Sequence, residues 1–162
     1  LDFLSSLEGL DFVDLHVYPF RGPLPPQEWL LWLLPLGAAI RRSGKRLVLN
    51  QAWPYKMGSW TLAEFQWEEA LKRRDTYAFW QPVDARFVRL FCAYARAFGA
   101  EVACLWGTPY LFAYQPWTRE LDVLAPAEVE ARYQQTALLP ALTAPELVLS
   151  PTGEALRAAQ AP

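Results

Sequence analysis

The chain has 162 residues, 53% of them hydrophobic and 20% charged, with a formal net charge of −2 and a pI near 5.5. That is the profile of one soluble globular domain, and the near-neutral balance, without a Lys/Arg run, argues against a nucleic-acid or anionic-membrane partner. Two cysteines, Cys92 and Cys104, and a single histidine, His16, give neither a disulfide scaffold nor a zinc-type cluster, so no metal or cofactor is expected.

From Asp11 to Phe20 the apolar residues alternate and then meet Pro19, the pattern of a strand, VDLHVYPF at its end. Gly22 to Pro26 is a Pro-rich loop, and PQEWLLWLLPLGAAIRR, Pro26 to Arg42, has helical spacing of Trp29, Leu30, Leu33, Leu36 and Ile40, with a kink expected near Pro35. This most apolar run is too short to span a bilayer. Ser43-Gly44 ends it, and RLVLNQAWP, Arg46 to Pro54, is a second strand, apolar on both faces as in a parallel sheet covered by helices. Thr61 can cap a helix from Leu62 to about Arg74, with Glu64 as capping-box partner, and another helix runs from about Pro82 to Phe98, stopped by Gly99. Glu101 to Trp106 reads as a third strand, followed by Gly107, Pro109 and an aromatic loop with Tyr110, Phe112, Tyr114 and Trp117. A last amphipathic helix is expected from about Pro126 to Leu139, and residues 141–162 as a peripheral tail.

The order β, α, β, α, α, β, α within residues 11–140 of one domain predicts an α/β fold with parallel strands alternating with helices. His16 and Gln51 are 35 positions apart, near the roughly 30 residues per unit of a TIM (βα)8 barrel. The longer step from Gln51 to Trp106 accommodates an inserted helix on the face where such barrels put their active sites. A doubly wound open sheet would share this order but would carry a Gly-rich phosphate turn, which the sequence lacks. The chain begins at Leu1 in mid-pattern, as an incomplete piece would, and no signal peptide is visible.

Residues two apart in a strand share a face, which aligns Asp14, His16 and Tyr18, and likewise Leu47, Leu49 and Gln51. With Trp106 ending the third strand, chemistry-bearing side chains fall at the same end of three successive strands. The eight tryptophans point to a ligand cleft as well as a core. Both cysteines lack an activating histidine and are expected to be buried, inert thiols, while Glu64, Glu68, Glu69 and Asp75 are expected to be solvated charges.

The chain resembles the last three βα units of a retaining glycoside hydrolase of the clan A type, the (βα)8 barrels that include the family 5 cellulases and mannanases. The likeness lies in His16, Tyr18, Pro19 and Phe20 at a sixth strand end and in Trp106 at an eighth, over roughly Asp11 to Tyr114. It implies the C-terminal part of a TIM barrel, with the remaining strands and the acid/base carboxylate upstream of Leu1. It also implies an oligosaccharide or polysaccharide partner with a β linkage. Tyr18 would donate a hydrogen bond to the group at position 51, His16 would contact a sugar hydroxyl, and Trp106 would stack on a pyranose face. Trp53, Tyr55 and Tyr110 would be further substrate-binding rings, and Asp14 would support the interior or bond His16. At the expected nucleophile position stands Gln51, an amide that cannot form a glycosyl ester. The alternatives are therefore a glycosidase, a carbohydrate-binding pseudo-glycosidase, or another TIM-barrel hydrolase placing a metal on Asp14 and His16. Three strands with two open edges are expected to associate or to be unstable alone.

Overall fold

The computed structural model describes residues 3, 8–19, 26–54, 56 and 75–161. Three strands, β1 (Phe12–Val17), β2 (Arg46–Ala52) and β3 (Val102–Leu105), form a parallel sheet in the order β1-β2-β3. Helix α1 (Pro26–Arg42) joins β1 to β2 and runs through Pro35 as one helix. Helix α2 (Gln81–Phe98) precedes β3 and ends on Gly99, whose φ of 67° is the left-handed cap that glycine adopts without a Cβ penalty. The helix expected from Leu62 to Arg74, with Glu64, Glu68 and Glu69, lies outside the described residues.

Both crossover helices cover one face of the sheet. Val17, Leu47, Leu49 and Ala52 from the strands pack with Leu33 and Ile40 of α1 and with Phe91, Tyr94 and Ala95 of α2. Gly37 allows the two helices to approach: a Cβ there would stand 2.5 Å from the Tyr94 hydroxyl. That hydroxyl donates instead to the Leu33 carbonyl at 2.8 Å. The opposite face carries Phe12, Asp14, His16, Val102, Cys104 and Trp106 and is largely open to solvent among the described residues. The sequence reading of an α/β fold with a parallel sheet therefore holds, with sequential strand order and helices on a single face.

After β3 a short 3₁₀ turn (Thr108–Leu111) leads to α3 (Arg119–Asp122) and α4 (Pro126–Tyr133). Helix α4 continues as a π-helical turn over Gln134–Leu138 into α5 (Leu139–Thr143). Pro140, which has no N–H to give to the ladder, accounts for the change of pitch where a plain helix ending near Leu139 was expected.

The segment expected to be a peripheral tail is instead structural. Helix α6 (Pro151–Gln160) buries Thr152, Gly153 and Ala155. Ser150 caps it, accepting hydrogen bonds from the amides of Thr152 at 3.1 Å and Gly153 at 3.2 Å and donating to the Tyr110 carbonyl at 2.6 Å. Ser150 followed by Pro151 is a helix-start signal that the expectation of a tail passed over. Ser150→Ala is expected to cost about 1–2 kcal/mol of stability, read as a lower urea midpoint with an unchanged slope.

Candidate functional site at the strand ends

The three strands reach one level where Trp53 N–H donates to the Val17 carbonyl and Trp106 N–H donates to the Ala52 carbonyl, each at 3.1 Å. Just before that level β2 carries one extra residue. Leu15 pairs with Leu49 but Val17 pairs with Ala52, and toward β3 Leu49 pairs with Ala103 but Ala52 with Leu105. Both neighbours thus see the same bulge at Asn50–Gln51, a common device for re-aiming a side chain.

The bulge corrects one expectation. Leu47 and Leu49 point into the helix-covered core, and a regular strand would send Gln51 with them. With the extra residue, Gln51 adopts φ 56°, the only left-handed non-glycine backbone among the described residues. Its side chain meets the β1 row instead: the Tyr18 hydroxyl donates to Gln51 Oε1 at 2.9 Å. An L-residue in this region costs roughly 1–2 kcal/mol and persists only where its surroundings over-determine it. One such determinant is Asp14, whose Oδ1 accepts the Asn50 amide at 3.3 Å. Asp14 Oδ2 also lies 3.7 Å from His16 Nε2, an ion-pair distance rather than a hydrogen bond.

His16 and Trp106 are about half exposed on the same open face, and the His16 ring stands edge-on to Tyr18 with centroids 6.2 Å apart. The site therefore offers a phenol and an amide fixed to each other, an accessible imidazole, a carboxylate and an indole. Gln51, accepting through Oε1, has two further donors on Nε2. Such a set can hydrogen-bond and stack on a polyhydroxylated ligand. Neither Tyr18 nor Gln51 supplies the anionic nucleophile of a retaining glycosidase.

The other expected rings fall elsewhere. Trp53 is fully buried and stacks on Tyr110 with centroids 5.4 Å apart, so it presents no face to a sugar. Tyr110 is half-buried between Trp53, Tyr114 and Tyr133. Tyr55 lies outside the described residues. The expectation of a ring platform from Trp53 fails because the chain after the bulge turns inward beneath the Gly107 turn: a Cβ at Gly107 would come within 2.3 Å of the indole.

Behind these rings is a buried polar cluster that the sequence did not reveal. Lys56 Nζ lies 2.7 Å from Asp84 Oδ1 and 2.9 Å from Asp84 Oδ2, and 3.4 Å from Asp75 Oδ1. It also sits over the Trp53 ring, 4.8 Å from the centroid. Asp75 Oδ2 accepts from the Trp53 indole N–H at 3.0 Å, and Asp84 Oδ2 accepts from the Tyr114 hydroxyl at 2.7 Å. Asp75, expected to be a solvated charge, is 3% exposed. Burial pushes its carboxyl up to about 6, with the Lys56 ammonium opposing and Asp84 reinforcing the shift. Asp84 is also raised by burial against the pull of Lys56, and the Tyr110 phenol is held well above its ordinary value by burial and then by the Asp75 charge. The residues are far apart in sequence, 28 positions between Lys56 and Asp84, which no local pattern links.

Among the described residues no group of three or more His, Cys, Asp or Glu could hold a metal ion, and no helix is long and apolar enough to cross a membrane. No protein-family model matches the chain, and neither a curated protein nor a solved structure matches it.

Proposed function

We propose that the chain is the C-terminal, three-strand part of a glycoside hydrolase-like (βα)8 barrel whose strand-end face binds a β-linked glycan. The observation that carries this reading is the Tyr18–Gln51 hydrogen bond. It ties the ends of adjacent parallel strands at the position where a retaining glycosidase of this type holds its nucleophile, and β2 bulges into a left-handed backbone to make it. Sequential strand order, helices on one face and an open opposite face support the barrel. His16 and the exposed Trp106 supply a donor or acceptor and a stacking surface beside the pair.

With an amide at position 51, the reading favours binding over hydrolysis. A carboxylate there would be needed both to attack the anomeric carbon and to stabilise the charge that develops on it. Calorimetric titration of the complete protein with β-linked gluco- and manno-oligosaccharides tests this. Binding is expected, with affinity falling about tenfold or more in Trp106→Ala, of the order of one lost stacking contact. Unchanged affinity in Trp106→Ala, or no binding of either series, would overturn it. Gln51→Glu, assayed on aryl β-glycosides, separates the two forms of the reading: turnover appearing in the variant marks a lapsed enzyme, and turnover already present in the parent protein refutes the binding-only form.

A further inference from the structure

The buried cluster behind the strand ends contains one cation and two carboxylates, all nearly inaccessible to water. With every group ionised it holds one uncompensated negative charge, which a protein interior solvates poorly. The two carboxylates are not equivalent. Both oxygens of Asp84 are within 2.9 Å of Lys56 Nζ, and Tyr114 adds a donor. Asp75 has the ammonium at 3.4 Å and the indole N–H of Trp53. A proton entering the cluster therefore goes to Asp75.

We propose that Lys56, Asp75 and Asp84 form a proton-operated latch, in which one proton taken up by Asp75 changes how Trp53 is held beneath the Trp106–Gly107 turn. The connection is short. Asp75 accepts the Trp53 N–H, the Trp53 ring lies directly against Gly107, and Gly107 follows the half-exposed Trp106. Ionised, Asp75 is a strong acceptor for the indole and a second counter-ion for Lys56. Protonated, it accepts more weakly and frees the ammonium to settle on Asp84.

The charged and titratable groups facing Asp75 among the described residues come from several elements. They are Lys56 after β2, Asp84 on α2, and Tyr110 and Tyr114 after β3, with Glu130 and Tyr133 of α4 acting on Tyr110. Both phenols are held neutral well past physiological pH by burial, so neither competes for the proton. Lys72, Arg73 and Arg74 precede Asp75 in sequence and lie outside the described residues. The sign follows from the raised carboxyl. The folded protein holds the proton up to about pH 6 and the unfolded chain only up to about 3.8. The latch thus contributes most to stability at low pH, and the contribution declines as pH rises between those two values.

The test follows the indole N–H resonances of the complete, isotope-labelled protein from pH 4 to 8, assigned with Trp53→Phe and Trp106→Phe. The Trp53 resonance is expected to titrate with a midpoint near 6, followed by Trp106 with the same midpoint, and both titrations are expected to vanish in Asp75→Asn. Asp75→Asn is also expected to melt above the parent protein at pH 7.5 and level with it at pH 4.5. If that variant does not fold, the side-chain carboxyl resonances of the parent protein give the Asp75 midpoint directly. A midpoint below 5 would overturn the proposal. So would a Trp106 titration that survives in Asp75→Asn and disappears in His16→Ala, since the imidazole would then be its source.

Discussion

Lys56→Met is expected to lower stability at pH 7.5 by about 3–5 kcal/mol, the cost of leaving buried carboxylates without their cation. Two charges of one sign would remain, Asp84 Oδ2 keeping the Tyr114 hydroxyl and Asp75 Oδ2 the Trp53 indole, neither of which is a counter-ion. Methionine fills much of the lysine volume, so the loss is electrostatic rather than a cavity. The pH dependence separates the two. Lys56 is the strongest influence lowering both aspartates, so without it both carboxyls rise further and are neutral in acid. The difference from the parent protein should therefore shrink markedly at pH 4.5. Urea unfolding at the two pH values measures it, and an equal loss at both, or one below about 1 kcal/mol at pH 7.5, would show that the ammonium does not carry the cluster.

That cluster marks the limit of what was legible in the sequence. Strand and helix periodicity is a local signal, and it placed α1, β2, α2 and β3 within two residues of where they fold, while β1, expected from Asp11 to Phe20, spans Phe12–Val17. The row of Asp14, His16 and Tyr18 followed from the same alternation, and the Tyr18 hydroxyl does reach position 51. The bulge in β2 was invisible because LVLNQA, apolar on both faces up to its last residues, has no alternation whose phase a bulge would break; only pairing with both neighbours shows that one residue is extra. Alternation groups Gln51 with Leu47 and Leu49, which face the core, whereas the bulge turns its side chain to Tyr18.

Trp53 and Asp75 failed in opposite directions for one cause. A tryptophan after a strand end reads as a ligand platform and an aspartate on the inserted helix as a solvated charge, yet the two are hydrogen-bonded to each other in the interior. Burial of a polar pair is decided by which partner arrives from elsewhere in the chain. Here Asp75 meets Lys56, which is held by Asp84 of α2, and Asp84 in turn accepts from Tyr114, whose hydroxyl also meets Thr152 of α6. The packing of α6 against α2, which makes the C-terminal segment structural, is a long-range contact that no local pattern carries.

Gly107→Ala is the most direct probe of the contact between the buried cluster and the open face. The backbone at Gly107, φ −78° and ψ 44°, lies at negative φ, so the substitution carries no left-handed strain. Its cost is steric: the new Cβ would meet Cε2, Cδ2 and Cε3 of Trp53 at 2.3, 2.4 and 2.6 Å. That indole is fully buried, stacked on Tyr110 and tethered to Asp75, and so has little room to retreat. Overpacking of this kind costs about 1–3 kcal/mol. A purely local backbone effect and a clash with Trp53 are told apart by a double-mutant cycle. Trp53→Phe narrows the ring where the Cβ would sit, so Gly107→Ala should cost little in that background, a coupling of at least about 1 kcal/mol. Additive losses in urea unfolding would show that the turn carrying Trp106 does not rest on Trp53.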